Sequence, residues 1–312
     1  MTDIISRFIP VFLIIAVGVF FRFKGILSDE IVSGLKKLII NLGLPAVFFL
    51  SFLTMELENS YIIFFISTFL ICLLLFFIGI LFQKFKSFKV PLLPFFFTGF
   101  EFGMVGVALF SSIFGLKNLH YILLLGLGHE FFIWFVYAPL LEAENHGKVQ
   151  IKKILKSFVS SPIIIAILSA LFFNLTGIYQ EIANFFVVTG VISALDVVSK
   201  LTTPLILLAI GFQLKLTSIQ WKLSIKVLIS RLVLSILSGL LFYFISDLLI
   251  MEMNRMMLYA FVTFFLLPPP FIIPVFLGKE LKNESMFYSN LLVLYTIVTL
   301  ILYAVIMLIL GI

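Results

Sequence analysis

One carboxyl group stands in the middle of a long apolar run. The stretch Phe97-Thr98-Gly99-Phe100-Glu101-Phe102-Gly103-Met104-Val105-Gly106-Val107-Ala108 places Glu101 among three glycines, with no countercharge nearby in sequence. A carboxylate inside hydrocarbon costs at least a few kcal/mol, so such a group is protonated, paired, or open to a water-filled path. That suits proton carriage or cation binding. A second irregular stretch, Leu266-Leu267-Pro268-Pro269-Pro270-Phe271-Ile272-Ile273-Pro274, loses three consecutive amide donors and cannot continue a regular helix. Breaks of this kind expose the ends of half-helices, whose amides favour an anion and whose carbonyls favour a cation or a proton carrier. Gly103 and Gly106 beside the carboxyl and Pro268, Pro269 and Pro270 in the second break are therefore candidate binding-site residues. His129 and Glu130 form a weaker candidate for ion coupling. Arg231 could counter a bound carboxylate, although snorkelling to an interface is the commoner fate of an arginine near a helix end.

The rest of the chain explains why these groups matter. Of 312 residues 62% are hydrophobic and only 12% charged, with a mean hydropathy of +1.27. Soluble domains are about half apolar and a quarter charged, so this chain belongs in a bilayer. A soluble enzyme, a nucleic-acid-binding module and a disulfide-stapled secreted domain are excluded on that balance. The single cysteine, Cys72, permits neither an internal disulfide nor a CxxC metal site, and reads as lipid-facing or packed filler. His120, His129 and His146 do not fall at metal-ligand spacing, and no paired nucleophile and base, HExxH or phosphate-binding loop appears. No catalytic residues, metal or cofactor are therefore expected.

Apolar stretches of roughly 20 residues, bounded by charge, Pro/Gly or polar runs, number about ten. They fall near 4–22, 34–55, 60–82, 91–114, 119–141, 154–175, 186–213, 224–246, 255–277 and 285–311. Their unbroken Leu/Ile/Phe composition predicts an α-helical bundle and contradicts a β-barrel. The first, followed by Arg22-Phe23-Lys24 in place of a small-residue cleavage site, reads as a retained helix. Seventeen of the 21 Lys and Arg lie in loops after odd-numbered spans, with Arg231 counted among them. That bias places those loops in the cytoplasm and both termini outside, as in a multi-pass plasma-membrane protein.

The two halves of the chain resemble each other. Pro10 to Phe20-Phe21 is followed by Gly25-Ile26, and Pro162 to Phe172-Phe173 is followed by Gly177-Ile178, fifteen positions from proline to glycine each time. The second span of each half carries a proline, Pro45 and Pro204, and the irregular stretches fall in the fourth span of each. Residues 1–141 and 154–312 thus read as two five-helix repeats joined by a short cytoplasmic loop, 142–153. An odd number of spans per repeat inverts the second half, the arrangement that commonly supports alternating access.

This pattern resembles the auxin efflux carrier family of secondary transporters, within the wider superfamily of bile-acid/sodium symporters. The resemblance rests on Phe23-Lys24-Gly25-Ile26-Leu27-Ser28, on Asn41-Leu42-Gly43-Leu44-Pro45-Ala46, on Pro204 through Gly211, and on the ninth-span proline followed by Phe276-Leu277-Gly278. It implies an inverted five-plus-five fold in which a transport domain, with fourth and ninth helices crossing at unwound segments, rocks against a scaffold. Members move organic anions, including malate and malonate in bacteria and indole-3-acetate in plants, and homodimers occur among them. Carried onto this chain, the resemblance implies a permease for a small organic acid, coupled to H+ or Na+. Glu101 would titrate, and Asn41, Pro45 and Pro204 would line or brace the cavity. Two departures stand out: glutamate at position 101 where the family usually has Asn, and Ala108 where it usually has the crossing Pro. The competing expectation is a non-transporting sensor or channel on a transporter frame.

Overall fold

A computed structural model describes residues 2–56, 61–88, 90–146, 151–216, 220–250, 254–276 and 282–310. Every regular element among them is helical: α1 (Thr2–Phe23), α2 (Asp29–Leu38), α3 (Leu44–Leu53), α4 (Tyr61–Gln83), α5 (Leu93–Phe97), α6 (Val107–Phe114), α7 (His120–Phe132), α8 (Ala138–His146), α9 (Ile151–Val159), α10 (Pro162–Leu175), α11 (Ile178–Ile182), α12 (Phe186–Gln213), α13 (Trp221–Ile250), α14 (Arg255–Leu266), α15 (Ile273–Phe276) and α16 (Lys282–Leu310). Within this set eight continuous helical stretches are long and apolar enough to cross a membrane, and Pro162–Leu175 and Arg255–Leu266 are shorter apolar helices. The chain is an all-helical, multi-pass membrane protein. Lys89, Lys148 and Lys279 of the charge count, and Leu277 and Gly278 of the ninth-span motif, lie outside the described residues.

Two expected boundaries move, each for a local reason. The second span begins at Asp29, because Ser28 caps it by accepting from the Ile31 N–H, with Asp29 and Glu30 in the first turn. The sixth span divides at Ser160-Ser161: Pro162 opens α10 and holds Ser161 in an extended conformation, so α9 ends separately. Arg231 lies inside α13, not in a loop, and leaves the charge count.

By contacts the chain forms two compact units, neither coinciding with a sequence half. The first is Met1–Glu58, Gly103–Leu123 and Leu155–Gln213; the second is Asn59–Phe102, Leu124–Ile154 and Leu214–Ile312.

In the first unit α1 packs along α12, while α3 packs on both α10 and α12. The α1–α12 approach needs glycine on both sides, since a Cβ at Gly18 would meet Leu208 O at 2.3 Å and one at Gly211 would meet Ile15 O at 2.1 Å. α2 and α3 form one helix with a π turn at Ile39–Gly43. Pro45 cannot donate to the carbonyl four residues back, and the Leu44 N–H reaches back five residues to Ile39 O. Gly25 and Gly177 both turn the chain with positive φ, +67° and +73°. Arg22 donates to Phe212 O at the end of α12, and Asn174, 152 positions later, donates to Phe52 O and Met55 O at the end of α3.

In the second unit α4 packs on α5, α13 lies against α4 and α14, and α16 contacts α13, α14 and α15. Its core is aromatic, with Phe64, Phe242 and Phe261 in mutual edge contact.

Candidate functional site

The two irregular stretches meet inside the second unit. α5 begins with Pro94 near its first turn and ends at Thr98, whose extended backbone carries the chain out of the helix. Gly99 then adopts φ +72°, and a Cβ there would lie 2.7 Å from Pro270 Cγ. Glycine is required twice over, by the left-handed backbone and by the proline packed against it. On the other side, Leu267 ends α14 with φ −60° and ψ 147°, the extended geometry a following proline imposes.

Where do the freed backbone groups go? Three proline nitrogens cannot donate, so the carbonyls at the end of α14 need other partners. Leu266 O accepts from the Thr299 hydroxyl at 2.8 Å, Leu267 O from Arg231 Nη1 at 3.3 Å, and Pro268 O from the Glu101 N–H at 2.7 Å. At the other break Phe96 O accepts from Arg231 Nε at 2.8 Å and Gly99 O from Arg231 Nη2 at 2.6 Å. The Thr98 hydroxyl donates to Cys72 O on α4, and the Phe100 N–H donates to His129 Nε2 at 2.9 Å. The Phe271 N–H donates to Glu101 Oε2 at 2.8 Å. Glu101 thus bonds the ninth-span break through its amide and through its carboxyl.

The tyrosines of α16 complete the lining. Tyr295 OH accepts from Arg231 Nη1 at 2.8 Å, and Tyr288 donates to Pro91 O. Leu92, next to Pro91, holds a left-handed conformation at φ 59°, a strained entry to α5 for a residue with a side chain. Phe100 packs in tilted and edge-on contact among Phe264, Phe265 and His129. His129 is 3% exposed. Because its Nε2 accepts the Phe100 amide, the ring proton sits on Nδ1, which has no hydrogen-bond partner and lies 3.7 Å from Glu130 Oε1.

The chain matches no known family model and no curated protein.

Of the residues singled out from sequence, Glu101, Pro268, Pro269, Pro270 and His129 come together in this unit, with Glu130 beside His129. Gly103 and Gly106 belong to the first unit and both lie in a π turn, Phe102–Gly106, leading into α6. A Cβ at Gly103 would make only ordinary contact with Leu44, so the glycine that the break requires is Gly99. Asn41 and Pro45 lie in the same first unit as Pro204. The Asn41 side chain is exposed and bonded to its own helix at Lys37 O. The π turn before Pro45 packs by Gly43 against Thr202, two residues before Pro204, and Thr203 shares a hydrogen bond with Ser111 of α6 at 2.8 Å. An apolar groove of about 200 Å³ in this unit, between α3, α10, α11 and α12, is lined by hydrocarbon, the ring of Tyr179 included. It offers nothing to recognise a carboxylate.

Arg231 overturns the snorkelling expectation: it is 0% exposed. Apolar surroundings and a position ten residues into α13 hid this, but a periodic signal was present. Ser224, Arg231, Ser235, Ser238 and Ser246 recur at helical spacing on one face, and all are buried. Tyr288, Tyr295 and Tyr303 repeat every seven or eight residues on α16 and are likewise buried. Cys72 is packed filler, fully buried. Among the described residues no three His, Cys, Asp or Glu side chains gather to hold a metal ion.

Proposed function

We propose that this protein is a secondary carrier for a small organic acid, driven by a proton or ion gradient and working by alternating access in the manner of the auxin efflux carriers. The observation that carries this reading is the double bond of Glu101 to the ninth-span break, its N–H to Pro268 O and its carboxyl to the Phe271 N–H. A titratable group that clasps two interrupted helices couples proton occupancy to the geometry of the interruption. Ionised, the carboxylate makes a charge-assisted bond to the Phe271 amide; protonated, it makes a bond about half as strong. Proton uptake then loosens the junction at the place where an anionic substrate would find a free amide.

The inverted-repeat part of the reading is supported by the paired roles of Gly25 and Gly177 and of Arg22 and Asn174. Placement in the plasma membrane with both termini outside belongs to the same proposal and rests on the bias of the loop charges. A non-transporting sensor is the second reading, favoured by one observation: the chain's own Glu101 already occupies the Phe271 amide.

Uptake of labelled malate and a panel of monocarboxylates into proteoliposomes, with and without an imposed pH gradient, tests the proposal. Accumulation driven by the gradient and lost in Glu101→Gln is the expected result. A folded protein that accumulates none of these acids removes the organic-acid carrier, and binding without accumulation selects the sensor.

A further inference from the structure

The guanidinium of Arg231 is shared among five neutral oxygens: Phe96 O, Gly99 O, Leu267 O, Ser235 Oγ and Tyr295 OH. Three of these are main-chain carbonyls released by the two breaks. Carbonyls gathered from separate stretches, with hydroxyls beside them, form the kind of donor set that holds an alkali-metal ion in membrane proteins. Electrostatics points the same way. A helix C-terminus carries partial negative charge, so the end of α14 favours a cation beside it. Two aromatic faces close the surroundings, with Arg231 Cζ 5.2 Å from the Phe100 ring centroid and 4.8 Å from that of Tyr295.

We propose that Arg231 is a tethered cation standing where an alkali-metal ion would otherwise be held by the broken helices, so that neither sodium nor potassium binds there. The consequence for coupling rests on the carrier reading above: with the carbonyls occupied, coupling is left to the proton on Glu101. The site is shaped for a plane. Nε, Nη1 and Nη2 each serve a different carbonyl, an arrangement that the compact ammonium of lysine cannot reproduce.

The test is thermal unfolding of the purified full-length protein in detergent, comparing wild type, Arg231→Ala and Arg231→Lys. Each is measured in choline chloride, in sodium or potassium chloride of equal ionic strength, and with millimolar guanidinium chloride added to choline. Wild type is expected to unfold at the same temperature in choline, sodium and potassium. Arg231→Ala is expected to unfold at a lower temperature and to recover saturably with guanidinium, which refills the vacated carbonyls. Arg231→Lys should lie between the two and ignore guanidinium.

A saturable rise in the wild-type unfolding temperature with sodium or potassium overturns the proposal. So does a folded Arg231→Ala protein that responds to no cation. If Arg231→Ala does not survive purification, Arg231→Lys decides: a lysine variant that also fails to survive shows that a cation alone does not hold these carbonyls, and overturns the proposal. None of these measurements reads transport, so failure to find a transported acid leaves them standing. Acid accumulation driven by a sodium gradient would remove the coupling clause while leaving the carrier reading intact.

Discussion

The two compact units answer the same problem, unpaired helix carbonyls in an apolar surrounding, at different depths. In the first unit the side chains that cap carbonyls, Arg7, Arg22 and Asn174, bond Ile113 O, Phe212 O, and Phe52 O with Met55 O, near helix ends and only partly buried. In the second unit the carbonyls needing partners lie in the middle of two interrupted helices, and their partners, Arg231 and Thr299, are fully buried. A cap at a helix end competes with water and headgroups; a cap at an internal break competes with nothing, because hydrocarbon offers no alternative. The difference marks the second unit as the candidate for function. Ionisable side chains are costly in the interior and persist where the backbone demands them, so the unit with the broken helices is the one with chemistry to spare.

Arginine truncation in each unit gives the largest expected contrast. Arg231→Leu leaves three carbonyls and two hydroxyls without their donor and should cost at least about 3 kcal/mol, since each buried polar group left unsatisfied costs about 1–3 kcal/mol. Arg22→Leu removes one half-exposed bond and should cost about 1 kcal/mol or less. Equal losses in thermal or denaturant unfolding would break the comparison. Next in size is Gly99→Ala. The left-handed backbone costs about 1–2 kcal/mol for alanine, and overlap with Pro270 adds about 1–3 kcal/mol. Gly177→Ala in the first unit shares the positive φ but has open space around the new Cβ, so only the backbone cost applies. The gap between the two variants measures how tightly the second unit holds its break.

Much of this was legible in sequence. Unbroken apolar runs gave the helices, and the glycines around Glu101 and the run from Pro268 to Pro270 marked both breaks, because missing amides and missing side chains leave their mark on composition. What stayed hidden was partnership across the chain. The bond from Phe271 to Glu101 joins residues 170 positions apart, and Arg231 reaches Phe96 across 135. Arg231 was misread because charge near the start of an apolar span ordinarily belongs to an interface; only its phase with the serines of α13 separates a buried arginine from a snorkelling one. Gly103 and Gly106 drew attention by motif, whereas the strained glycine is Gly99, and no local pattern distinguishes a helical glycine from a left-handed one. The split of the sixth span was readable in Ser161-Pro162, where proline disfavours helix in the residue before it.

Asn174→Ala, in the first unit, removes two bonds to the end of α3 and should cost about 1 kcal/mol, given about 0.6 kcal/mol per hydrogen bond between membrane helices. Arg22→Ala, which removes one bond to the end of α12, should cost no more than Asn174→Ala in the same unfolding assay; a larger loss would argue against equivalent roles for the two halves.

A small stability change is expected at the residue with the largest proposed role. Glu101→Gln keeps an oxygen for the Phe271 N–H and keeps the main-chain bond to Pro268 O, so the loss is at most the gap between a charge-assisted bond and a neutral one, about 1 kcal/mol. Unfolding should therefore resemble wild type while gradient-driven uptake disappears. If Glu101→Gln instead unfolds as readily as Arg231→Leu, the carboxylate is holding the break together as Arg231 does. Glu101 would then be a structural cap, and the second unit would differ from the first in the depth of its capping but not in chemistry.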